Sequence, residues 1–110
     1  MARREGLIPA YATVTTAGVD IGSEVPTDLR RYIYSIKTAN LYAGANSLQV
    51  RKNTTTIDRI EHATQYEMWK EPEDPKEDSL PIYVLTAGDQ LSGITDNGNC
   101  WVRVLFVDAP

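Results

Sequence analysis

The sequence predicts an all-β fold: a single-domain β-sandwich, jelly-roll-like, of eight or nine short antiparallel strands. Three observations carry this. Runs rich in β-branched and aromatic residues recur at intervals of about ten residues, with turn residues between them. The last run, Cys-Trp-Val-Arg-Val-Leu-Phe-Val over 100–107, is long enough to show a two-residue period. The breaks before it, Ala87-Gly88-Asp89 and Asp96-Asn97-Gly98-Asn99, use residues that tight hairpins favour. Two packed sheets are the natural solution for that many short strands.

Taken in order, residues 1–9 read as an arm and 10–110 as the sandwich domain. Arg3, Arg4 and Glu5 are polar, Gly6 is flexible, Leu7 and Ile8 are apolar, and Pro9 closes the segment. Residues 11–16 form a strand that Ala17-Gly18 breaks. Val19, Ile21 and Val25 alternate with polar residues as a second strand. Val25-Pro26-Thr27-Asp28 then turns, with the residue before proline held extended. The run 29–42 is read as a strand with Tyr32, Tyr34 and Ile36 on one face and Ile33, Ser35 and Lys37 on the other. A helical period through Leu29, Ile33, Ile36 and Asn40 competes, and β propensity decides against it. After the small-residue turn 43–46, Leu48 and Val50 alternate with Gln49 and Arg51. Residues 56–61 fit either a strand or a helical turn, and 63–69 reads as a strand with Thr64, Tyr66 and Met68 on one face. Strands follow at 82–86, 90–95 and 100–107. Asn97-Gly98 predicts a type I′ turn, with positive φ at both residues.

Composition narrows the function classes. One hundred and ten residues make one domain. A single Cys allows no internal disulfide. The N-terminus meets Pro9 before an apolar run develops, so no signal peptide is expected. No apolar stretch approaches the roughly 20 residues that span a bilayer, which points to a soluble chain with no membrane partner. A net charge of −4 argues against nucleic acid as a partner. The acidity is concentrated in Glu67 to Asp78, which holds six acids and two lysines around two prolines. Proline forbids a helix interior or central strand there. The segment reads as a solvated loop rather than a cation site, because it lacks the spacing and central glycine of a calcium loop.

No catalytic residue, cofactor site or metal site is assigned. Cys100 shares a strand face with Val102, Val104 and Phe106, which suits a buried thiol better than a nucleophile activated by His62. One histidine cannot supply the cluster that a cupin-type metal site needs. No nucleophile elbow or phosphate-cradling loop occurs. Trp69, Trp101 and six tyrosines leave open a sugar-stacking platform, although packing is the commoner role of such residues.

The final strand supplies the main lead. Cys100, Val102, Val104 and Phe106 should meet the core. Trp101, Arg103, Leu105 and Val107 fall on the opposite face, where only Arg103 is polar. Such a face needs cover, from the same chain or from a neighbour. These four residues are therefore the candidate oligomer interface.

The run Leu80-Pro81-Ile82-Tyr83-Val84-Leu85-Thr86-Ala87-Gly88-Asp89-Gln90-Leu91, then Thr95-Asp96-Asn97-Gly98 and the strand from Val102 to Val107, resembles the ending of small β-rich phage virion proteins. Val25-Pro26, Tyr32-Ile33-Tyr34-Ser35-Ile36 and Asn40 are similar to their middle strands. The resemblance implies a non-enzymatic capsid decoration protein, made in a host cytoplasm and resident in the virion. It implies a homo-oligomer, with a trimer favoured, and the major capsid protein as a further partner. Arg3, Arg4, Leu7 and Ile8 of the arm would contact the neighbouring subunit. The alternative expectation is a carbohydrate- or ligand-binding β-sandwich module.

Overall fold

A computed structural model of the protein describes residues 2–72 and 74–110. Among these, the chain forms nine strands and no helix. They are β1 (Ile8–Val14), β2 (Val19–Asp20), β3 (Arg30–Asn40), β4 (Asn46–Lys52), β5 (Thr55–His62), β6 (Met68–Glu71), β7 (Tyr83–Thr86), β8 (Leu91–Thr95) and β9 (Cys100–Ala109). All pair antiparallel. The first sheet runs β1-β9-β3, and the far edge of β3 is shared by β7 and β6. The second runs β2-β8-β4-β5. With β6 and β7 counted as one interrupted strand, this is the strand order of an eight-stranded jelly roll.

The core lies between the sheets. β9 contributes Cys100, Val102, Val104 and Phe106, as its period requires, against Leu48, Val50, Ile60 and Leu91 of the second sheet. Two buried polar side chains, Arg31 and Asn40, are held by several hydrogen bonds each, as burial demands. The Arg31 guanidinium makes a two-pronged contact with Asp108 (2.8 and 2.9 Å), donates to the Ser23 carbonyl at 2.6 Å, and lies 4.2 Å from the Phe106 ring centroid. Asn40 donates to the carbonyls of Gly44 and Thr64, both at 2.8 Å, tying two loops to one end of β3.

Three local expectations are corrected. Strict alternation in β3 fails because the register shifts between Ile33 and Ser35. The extra residue of this bulge, Tyr34, lets both Ile33 and Ile36 face the core, while Tyr34 stays half-buried on the outside. Neither Asn97 nor Gly98 has positive φ, so the type I′ turn does not form. Asn46 instead holds that loop, donating to the Gly98 carbonyl at 2.9 Å and accepting from the Asn97 amide at 3.1 Å. A side chain at 98 would collide with Tyr42, whose ring would lie 2.5 Å from its Cβ. Residues 63–67 form a loop rather than a strand, with Tyr66 at φ 65°, and the strand starts at Met68. Residues 56–61, open between strand and helix in the sequence, lie within strand β5 (Thr55–His62).

Candidate functional site

The outer face of the first sheet is set by the pairing of its strands. Opposite residues form cross-strand rows, and such pairs are the unit of sheet stabilisation. One row is Thr13, Trp101, Ala39 and Met68; the next is Tyr11, Arg103, Lys37 and Lys70; a third holds Pro9, Leu105 and Ser35. The rings of Tyr11 and Trp101 tilt together with centroids 6.0 Å apart, and the Lys37 ammonium stands 5.7 Å from the Trp101 ring centre. Tyr11 is 60 % exposed and Met68 53 %. The four candidate interface residues separate here. Trp101 and Arg103 lie in this open patch, Leu105 lies under a covering layer, and Val107 stands half-buried opposite Tyr32.

The chain itself supplies that layer. The segment between β6 and β7 leaves the sheet, crosses the outer face, and meets the N-terminal arm. The Ser35 hydroxyl donates to the Pro72 carbonyl at 2.7 Å. Arg4 donates from its side chain to the carbonyls of Glu77 (2.7 Å) and Ser79 (3.2 Å), and from its amide to that of Pro75. The Glu77 amide returns a bond to Ala2, and the Arg4 guanidinium lies 4.0 Å from the Tyr34 ring centre. Arg3 pairs loosely with Asp74 at 3.8 Å. Leu7, Pro75 and Leu105 line an open pocket of about 340 Å³ where the arm meets this segment. Of the predicted arm, Arg3, Arg4 and Leu7 thus belong to the cover, whereas Ile8 opens β1 opposite Phe106 and is 52 % exposed. The acidic segment is solvated at Asp74, Lys76, Glu77 and Asp78, yet Pro75 is buried and the backbone is anchored. Glu73 lies outside the described residues.

Arg4→Ala should release this layer. It removes two hydrogen bonds and the ring contact, a loss of about 1–2 kcal/mol. Trypsin should then cut after Lys76 faster than in the parent protein, because the Glu77 carbonyl loses the guanidinium that holds it and the backbone beside the scissile bond is freer to move. Unchanged cleavage would mean that other contacts fix the segment.

The titratable residues singled out in the sequence lie elsewhere. Cys100 is buried, and desolvation pushes its thiol up to about 11, so it carries no thiolate at neutral pH. No hydrogen bond joins it to His62. The His62 Nε2 lies 2.8 Å from the Thr38 hydroxyl, and Nδ1 sits 3.4 Å from the Glu67 carboxylate, an ion-pair distance without a hydrogen bond. Further along β5, the Tyr83 hydroxyl donates to Asp58. Burial, and then that carboxylate, hold the phenol protonated far above its usual range. Both contacts tie β5 to the first sheet across the core. Among the described residues, no three His, Cys, Asp or Glu side chains gather to hold a metal ion.

Sequence reasoning missed Tyr11, Lys37, Met68 and Lys70 as members of the outer patch. The signal was present in each strand's alternation, but the register that brings the strands together is a tertiary fact. Comparison of the chain with family models, curated proteins and solved structures returns no match.

Proposed function

We propose that the protein is a non-enzymatic structural protein that assembles into a homo-oligomer through the outer face of its first sheet. In this reading it is an accessory, decoration-type protein of a phage virion that stabilises the shell by adhesion, with the major capsid protein as a second partner. One observation carries the assembly reading: the patch of Tyr11, Trp101 and Met68 that the chain's own cover leaves open, with Arg103 and Lys37 beside it in the row of Tyr11. Aromatic residues, Met and Arg are the types enriched at the centres of protein interfaces, and Trp, Tyr and Arg dominate their energetics. The virion setting is supported by the resemblance of the C-terminal strands and by the jelly-roll order.

Light scattering tests the assembly. The native protein should run as a multiple of its 12.2 kDa chain mass, and Trp101→Glu should reduce it to one chain with an unchanged circular dichroism spectrum. A native protein that remains a monomer at high micromolar concentration would overturn the reading. The same aromatic pair favours the second reading, a carbohydrate-binding module. Glycan binding lost in Trp101→Ala, with the mass unaltered, would select it.

A further inference from the structure

We propose that the occupant of this face is a second copy of the chain, paired about a two-fold axis so that each copy's acidic ledge covers the other's cation row. The inference rests on the assembly reading above and names its partner and geometry. Arg103 and Lys37 stand directly opposite each other on β9 and β3, and Lys70 stands opposite Lys37 on β6. Like charges so placed destabilise a sheet. No described carboxylate pairs with Arg103 or Lys37, and the Arg103 Nε is shielded from solvent without a hydrogen-bond partner. Arg103 and Lys37 therefore present positive charge, and Arg103 an unmet donor, beside exposed aromatic surface.

The complement lies on the same face. The covering segment crosses the Ser35–Leu105 row, one step along the strands from the cations. Arg4 holds that segment by its backbone carbonyls and leaves the carboxylates of Glu77 and Asp78 exposed, with no ion pair among the described residues. The result is a raised acidic ledge beside a lower cationic and aromatic patch. A two-fold interface uses the same surface twice, so that surface must contain both a feature and its complement. Placing the axis between ledge and patch satisfies both at once. Glu77 and Asp78 of each copy meet Arg103 and Lys37 of the other, and Tyr11, Trp101 and Met68 pack beneath them. This arrangement gives a pair of chains in place of the expected trimer.

Charge reversal tests it on the full chain. The row variant is Lys37→Glu with Arg103→Glu, and the ledge variant is Glu77→Lys with Asp78→Lys. Each alone should stay folded and weaken self-association about 100-fold or more, because like charges then face each other across both contacts. An equimolar mixture of the two should regain twice the chain mass, since each row now meets an opposite ledge. If the row variant misfolds, Lys37→Gln with Arg103→Gln replaces it; this neutral row should weaken pairing and still associate with the native chain more tightly than with itself. A native oligomer whose mass survives both variants would overturn this proposal and leave the assembly reading standing. Loss of pairing in both variants without recovery on mixing would also overturn it, because the row would then face a surface other than the ledge. A native monomer, including one that binds a sulfated polysaccharide through Lys37 and Arg103, would overturn both.

Discussion

Val104→Glu should leave no folded protein at room temperature. Val104 is 1 % exposed, in the strand at the centre of the first sheet, opposite Ala10 and Ile36. The substitution removes about 1.5–3 kcal/mol of burial and places an unpaired carboxylate in the core, at a cost of several kcal/mol more. A domain of this size has only about 5–15 kcal/mol of stability to lose. One residue along, Leu105→Glu should behave differently. Leu105 faces the arm and Pro75 rather than the core, so its charge can reach water by displacing that layer, and the sandwich should persist. Near-ultraviolet circular dichroism separates the outcomes. Equal loss of signal in both variants would refute the assignment of the two faces.

The second large effect concerns Asp108→Ala. It leaves the Arg31 guanidinium, in a residue only 4 % exposed, without its counter-charge and with the Ser23 carbonyl as its remaining short partner. Breaking a buried pair from one side costs about 3–5 kcal/mol, whereas replacing both members by apolar residues is often close to neutral. Urea midpoints should therefore fall sharply for Asp108→Ala and recover much of the difference in Arg31→Leu with Asp108→Leu. A double variant as unstable as the single one would show that Arg31 matters through its packing on Phe106 rather than through the pair.

The final strand was legible because alternation is a property of a single strand: 100–107 divides into a core face and an outer face without knowledge of any neighbour. The turn at Gly88 was legible for a similar local reason, and it does take positive φ, at 85°. The bulge at Tyr34 was not, because one residue slips only when the partner strand fixes the register. Nor was the docking of the acidic segment. Its side chains spell repulsion and solvation, but Arg4 binds its carbonyls, which every sequence possesses. The patch itself was half legible. Trp101 and Arg103 came from β9 alone, while Tyr11, Lys37 and Met68 joined them only through pairing across three other strands.

The position of β9 also bears on how the protein comes to be folded. It is the last strand in chain order, yet it lies between the first and the third, pairing Phe106 with Ile8 and with Ile33. Closing so long a span carries an entropic cost before any contact offsets it, and folds dominated by such pairings form slowly. Without β9, the edges of β1 and β3 that it joins have no partner strand. Open edges of this kind accept a strand from any chain at hand. The interval before residues 100–109 become available is therefore when the protein is most exposed to misassembly, and strand insertion from a neighbour is the form that error would take.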